Sequence, residues 1–279
     1  MSTSTFLPSL AVAAVAMTCD VVACGAAEAR LEELPALRRR LQGEGAAALS
    51  ATSLKHADEQ TVAGLAAVFQ ALDNSGLDRS LFGDWGVVAA PRFPGRVATA
   101  LAFEKFLVEG AWGISPHLIP NRSQHSLSGA ISQALSLHGP NFGAGGGPGG
   151  ETEALLAAAA MLDLGSLPGV WVVCTGWDPE VVAHPKDGQL CGSVCRAVAL
   201  ALSPSRPGWR GIRLRLTLGD GSSTRCKLVD GPADSSLRLE SLAAALGPGT
   251  LPTIKCGWTL DCGGRVELDR TTAAGENER

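Results

Sequence analysis

The sequence predicts an α/β fold built around a mainly parallel sheet. Two observations carry this: strand-like apolar runs alternate with segments of helical period, and "GVWVVCTGW" (169–177) is apolar almost throughout, as a strand covered on both faces must be. A third is the set of Gly- and Pro-rich breaks that fall between these segments, not inside them.

Each element follows in turn. "LAVAAVAM" (10–17) reads as a buried first strand or helix. It resembles a signal-peptide core, but no Lys or Arg precedes Arg30 and Asp20 interrupts the run, which also falls short of the about 20 residues of a membrane helix. From Ala26 to Leu41 the spacing of Leu31, Leu34, Leu37 and Leu41 predicts a helix, with Arg38, Arg39 and Arg40 on a solvated face beside Glu32, Glu33 and Glu44. "GEGAAALSATSLKHAD" (43–58) reads as a loop. Val62, Leu65, Ala66, Phe69 and Leu72 recur at helical spacing; Asp58 or Thr61 can cap the start, and Asn74, Ser75 and Gly76 end the helix. "WGVVAA" (85–90) is a short buried strand followed by a turn at Pro91–Gly95, then a helix in "RVATALAFEKFLVEG" (96–110).

"ISPHLIPN" (114–121) is an extended loop, "SQHSLSGAISQALSLHG" (123–139) a helix capped by Asn121, Arg122 and Ser123, and "NFGA" (141–144) a brief strand. A glycine loop comes next, and then "ETEALLAAAAMLDLG" (151–165), a helix whose early Glu151 and Glu153 suit the helix dipole. The tail differs: "CRAVALALS", "IRLRLTL", "STRCKLVDG" and "RVELD" read as alternating strands, with one helix in "LRLESLAAALG". Pro204 and Pro207 place a boundary near Ser203–Arg210, so that 1–203 forms one domain and 204–279 a small α+β region.

Bulk properties narrow the function. A net charge of −4 argues against a surface for nucleic acid or anionic membrane. The eight cysteines form no CxxC pair, which argues against a zinc ribbon, and several sit in apolar runs as small hydrophobes; a reduced, cytoplasmic setting follows. No metal or cofactor is expected. His117, His125 and His138 lack ligand spacing and read as packed or helix-terminal residues. Trp112, Trp171 and Trp177 read as core or interface aromatics.

Six of the eight residues from Gly143 to Gly150 are glycine. A phosphate cradle would need the GxxxxGK[ST] pattern, but no Lys is present and Glu151 stands in its place. The GxGxxG match at Gly145–Gly150 is a by-product of glycine content. A nucleophile elbow fits the strand–loop–helix geometry better, yet Ser, Cys and Lys are all missing from the loop.

The motifs around this loop resemble the N-terminal half of a β-ketoacyl-acyl-carrier-protein synthase, of the thiolase-like layered α/β fold. The resemblance rests on Ser115-Pro116 with Pro120, on Ser128-Gly129, on Gly139-Pro140-Asn141, and on the helix ending at Gly165; it spans roughly 57–180. "CGWTLDCGGRVELD" (256–269) is similar to the family's closing hairpin. Counting from the GPN strand, the resemblance puts the family's nucleophilic cysteine at Pro148, and it implies that Gly145, Gly146, Gly147, Gly149 and Gly150 form an acyl or oxyanion loop. It further implies that Asn141, Phe142, Gly143 and Ala144 form a dimer edge. With the cysteine replaced and no catalytic histidine pair found, the expectation is a non-catalytic, chain-length-factor-type partner of an active ketosynthase in fatty-acid, polyketide or aryl-polyene biosynthesis. Its partners would be that ketosynthase, or a second copy, and an acyl carrier protein. A stand-alone scaffold homodimer and an enzyme with repurposed chemistry at the glycine loop are the alternatives.

Overall fold

The computed structural model describes residues 15–43, 49, 51–182, 192–219, 236–246 and 255–270. The chain begins with a 16-residue strand, β1 (Val15–Arg30), followed by α1 (Leu34–Gly43), the short α2 (Ala51–His56) and α3 (Glu59–Ser75). Next come β2 (Gly86–Pro91), α4 (Arg96–Glu109), the single-turn α5 (Leu118–Arg122), α6 (His125–Leu135), β3 (Asn141–Gly143), α7 (Gly150–Asp163) and β4 (Val170–Asp178). The last part contributes β5 (Val194–Pro204), β6 (Ile212–Leu218), α8 (Leu239–Leu246) and a hairpin of β7 (Lys255–Thr259) and β8 (Arg265–Arg270).

All eight strands join one sheet in the order β3-β2-β4-β5-β1-β6-β8-β7. The layered α/β architecture is present, but the sheet is mixed where a mainly parallel one was expected. Only β3-β2 and β2-β4 pair in parallel, and the rest are antiparallel. For the closing hairpin the reason is local: parallel neighbours need a crossover, and only a tight turn joins β7 to β8. After Pro204, β6, β8 and β7 extend the same sheet, since β6 hydrogen-bonds β1 from Val15↔Leu218 to Val21↔Ile212.

The apolar runs decide the layers. In β4, Trp171, Val173 and Trp177 face the layer of α1, α3 and α6, while Val170, Val172 and Cys174 face α7 and α8. In β5 the first face carries Cys195, Ala197, Ala199 and Ala201, all small, and the second Val198, Leu200 and Leu202. Small residues let α3 lie close to the sheet. At Gly25 of β1 the approach reaches backbone contact: a Cβ there would fall 2.4 Å from the Ala67 carbonyl oxygen and 2.6 Å from Ala71 N. A register shift between Val21 and Ala23 turns β1 over, so Cys19 and Val21 face one core and Ala23 and Ala29 the other.

Helix boundaries match the capping signals best. Asp58 caps α3 by accepting from Gln60 N at 2.9 Å, and Gly76 ends it in the left-handed region (φ 65°). The helix expected from Ala26 instead begins at Leu34. Ala26, Ala27, Glu28 and Ala29 pair with Val198, Ala197, Arg196 and Cys195, and sheet pairing overrides a leucine spacing that only Leu34 and Leu41 bury. The two segments read as loops contain the short α2 and α5. Asp20, which interrupts the apolar run, is fully buried in β1 and accepts from Arg206 N at 2.9 Å, tying the β5–β6 turn to the sheet. The strand read at 223–231 and residues 10–14 of the signal-like run lie outside the described residues. Among the described residues no helix is long and apolar enough to cross a membrane.

Candidate functional site

The glycine loop sits between β3 and α7, as the strand–loop–helix reading requires. Ala144 N donates to the Ala89 carbonyl (2.8 Å), which carries the chain past β2, and Phe93 N donates to the Gly146 carbonyl (3.1 Å). Gln124 Nε2 donates to the Gly145 carbonyl. Three positions need glycine: Gly145, Gly146 and Gly149 have φ of 70°, 114° and 83°. A Cβ at Gly145 would meet Gly150 Cα at 2.6 Å, so the loop is folded onto itself. Pro148 is exposed at its tip.

The first turn of α7 satisfies its own donors. Gly150 N bonds the Gly147 carbonyl (3.3 Å), and Thr152 N and Glu153 N bond that of Gly149 (3.0 and 3.2 Å). Nearby backbone N–H groups, its own and that of Leu239, favour the charged form of the Glu151 carboxylate. By contrast, the N–H groups of Gly145, Gly146, Gly147 and Gly149 find no acceptor among the described residues. Four unsatisfied donors in one short loop are the raw material of an oxyanion site. Glu151 is buried beneath them; burial holds its pKa above the ordinary carboxylate value, with Arg92 pulling the other way. A carboxylate at that helix end is the wrong charge to share with a phosphate.

The neighbouring turn is equally constrained. Phe93 lies in the left-handed region (φ 50°), which is strained for a non-glycine residue. A buried polar network over-determines it. Arg92 N bonds the Thr175 carbonyl (2.8 Å), Gln60 Nε2 bonds the Arg92 carbonyl (2.7 Å), and Thr175 Oγ1 bonds Gln60 Oε1 (2.9 Å). Asp58 accepts from Gly95 N (3.2 Å) and pairs with Arg122 (2.9 Å). The Arg92 guanidinium reaches Glu180, the Trp177 carbonyl (2.6 Å) and Glu240 of α8 (3.4 Å). A cavity of about 170 Å³, lined in part by Phe93, Arg96, Leu101 and Trp177, opens beside this turn. The β7–β8 turn closes the loop from the other side, where Asp261 Oδ2 would lie 2.5 Å from a Cβ at Gly149.

The sequence-predicted residues are thus partly brought together. Asn141, Phe142 and Gly143 form the end strand of the sheet, with one edge unpaired among the described residues. Phe142 is 37% exposed, and Asn141 Oδ1 is buried without a hydrogen-bond partner. Upstream, α4 and the 3₁₀ turn at Gly110–Gly113 expose Phe103, Leu107, Val108 and, at 99%, Trp112; Trp171 and Trp177 are core residues. His117 and His125 stand at the starts of α5 and α6, and the exposed His138 donates its N–H to the Gly83 carbonyl (2.7 Å). Asn121, Arg122 and Ser123 do not cap α6 through their side chains: Asn121 Nδ2 bonds the His117 carbonyl and Arg122 binds Asp58 and Glu59. Among the described residues no group of three or more His, Cys, Asp or Glu could hold a metal ion. Burial raises the thiol pKa of Cys174 and Cys195 well above the ordinary value and that of Cys19 to about 11, as expected of packed, unreactive cysteines.

Sequence reasoning missed Arg92, Phe93 and Gln60. The signal was present only for Asp58, read as a cap, because a network assembled from residues up to 148 positions apart leaves no local pattern.

No family model matches the chain, and no curated protein sequence matches it. Solved structures do resemble it. One is a type II polyketide synthase acyl-carrier protein in complex with its ketosynthase bound to the hexaketide (16% identity, TM-score 0.49, 68% of this chain and 63% of that one). Others are the ishigamide ketosynthase/chain length factor (14%, 0.49, 71% and 65%) and a β-ketoacyl synthase from Burkholderia phymatum STM815 (14%, 0.48, 76% and 66%). The chain spans slightly less than two thirds of the length of each.

Proposed function

We propose that this chain is a ketosynthase-like subunit that has no nucleophile at its glycine loop and works as the chain-length-factor-type partner of an active ketosynthase. The observation that carries the reading is Pro148. It sits at the exposed tip of a strand–loop–helix turn whose glycine conformations and unsatisfied N–H groups are kept, at the position where the sequence resemblance counts the cysteine. The donors suit an acyl carbonyl, while bond formation to the acyl group would take place on the partner. In this reading the partner covers the β3 edge and the apolar α4 face, which are exposed on the isolated chain. An acyl carrier protein then delivers the chain to the pair, in a polyketide, fatty-acid or aryl-polyene pathway.

Co-expression with a cysteine-containing ketosynthase encoded nearby tests this. The expected result is a heterodimer that condenses acyl units, and Phe142→Asp with Trp112→Asp weakens it by roughly thirtyfold if each costs about 1 kcal/mol. A stable homodimer that ignores the ketosynthase and carrier protein would favour the scaffold reading. Condensation by the purified chain alone would favour repurposed chemistry. Either result defeats the proposal.

A further inference from the structure

The sheet's other face carries a second cavity that the glycine loop does not use. It measures about 630 Å³, within the roughly 300–1,000 Å³ range of ligand pockets, and lies among α2, α3, α5 and α6. Its apolar lining includes the exposed Ile119 and Pro120 and the half-buried Ala130. Three imidazoles line it. His56 of α2 and His117 beside α5 stack with ring centroids 4.7 Å apart and planes 9° from parallel. His125 is held by its Nδ1, which lies 3.2 Å from Ser128 Oγ, so Nε2 is the ring nitrogen left over. Gly129 leaves open space beside it: a Cβ built there would meet nothing nearer than that ring, at 4.0 Å.

The charge pattern selects the ligand. Among the described residues, Asp, Glu, Lys and Arg are all missing from the lining of this cavity. The charged groups on the surrounding elements are Lys55 on α2, Asp58 capping α3, Glu59 at its start and Asp73 near its far end, and Arg122 at the end of α5. Asp58 and Glu59 are both engaged by Arg122, at 2.9 Å each, so neither serves as a counter-ion to the imidazoles. Imidazole becomes cationic within the physiological range. A stacked pair without its own carboxylate therefore gains from an anion brought by a ligand. An apolar lining beside that pair wants a tail.

We propose that this cavity binds an amphiphile with a single anionic head group, the head on His56, His117 and His125 and the tail along Ile119, Pro120 and Ala130.

Calorimetric titration of the full chain with decanoate, decyl phosphate, decanol and acetate, at pH 6 and pH 8.5, tests it. Decanoate or decyl phosphate should bind one per chain at pH 6, at least tenfold more tightly than decanol or acetate, and should weaken at pH 8.5. Whichever of the two is tighter names the head group as carboxylate or phosphate. Gly129→Leu, on a helix and with free space for its side chain, should abolish binding while leaving the circular dichroism unchanged. A double variant, His56→Ala with His117→Ala, should lose about tenfold for the anionic ligands and nothing for decanol, as loss of a hydrogen bond to a charged group would give. Equal binding of decanol and decanoate, no change with pH, or undiminished binding by folded Gly129→Leu would each overturn the proposal. The ligand and pH comparisons on the unaltered chain hold even if a variant fails to fold.

Discussion

Placing a thiol back at the loop tip tests how much of a nucleophile site remains. Pro148→Cys puts the sulfur one residue before the N-cap Gly149, on an exposed turn. The α7 dipole stabilises a thiolate there by about 0.3–1 kcal/mol, less than one pH unit at about 1.36 kcal/mol per unit. The buried Glu151 carboxylate in the first turn opposes it, and the side chains touching the loop, Gln124, Phe93 and Asp261, include no imidazole. The new thiol should therefore titrate close to its unperturbed value of about 8.5, with only about 3% thiolate at pH 7. Acylation by a short acyl thioester should run about thirtyfold below its plateau at pH 7 and rise about tenfold per pH unit until the thiol ionises. The assay is intact and peptide mass spectrometry over pH 6–9.5, in a Cys262→Ser background because Cys262 is exposed. A rate already flat between pH 6 and 7 would reveal an activating base or cation and refute the reasoning. So would a thiol that small alkylating reagents label at pH 9 but acyl thioesters do not, since the loop would then be closed to an acyl group.

Two further expectations concern stability. Glu151 holds its proton more tightly folded than unfolded, so its contribution is fully present below the ordinary carboxylate pKa and is lost as pH rises through the elevated folded value. Glu151→Gln, which removes the ionisable group, should raise the melting temperature at pH 8 and flatten its decline above the ordinary carboxylate pKa; an unchanged pH profile would place that dependence on another group. Gly25→Ala should cost roughly 1–3 kcal/mol or more in urea unfolding, because the obstacles are α3 backbone atoms that cannot rotate away. Gly43→Ala, with nothing within 4 Å, is the control and should stay within about 0.5 kcal/mol.

What could be read in advance depended on range. The α3 limits followed from Asp58 and Gly76, the central place of β4 from an unbroken apolar run, and the glycine loop from composition alone. Each of these is written in adjacent residues. The extent of β1 was not, because Ala26–Ala29 become strand only when Cys195–Val198 arrive to pair with them. Sheet polarity failed for the same reason. At the site, the positions of Gly145 to Gly150 were legible, but the left-handed Phe93 and the Gln60–Thr175 link were not, since they depend on the register of α3 against β4. His125 and His138 drew attention by type, yet the residue that stacks on His117 is His56, on an element read as loop.

The double use of β1 has a consequence for biosynthesis. Both of its neighbours, β5 and β6, are encoded far downstream, and about 160 residues separate Arg30 from Val194. At about 5–20 residues per second, some 8–30 s pass between the emergence of this strand from the ribosome and that of its first neighbour. During that interval its backbone donors and apolar side chains have no native sheet partner. The strand that finally holds the two ends of the sheet together is therefore the one that waits longest, and substitutions there should show first in the yield of folded chain during synthesis rather than in the stability of what has folded.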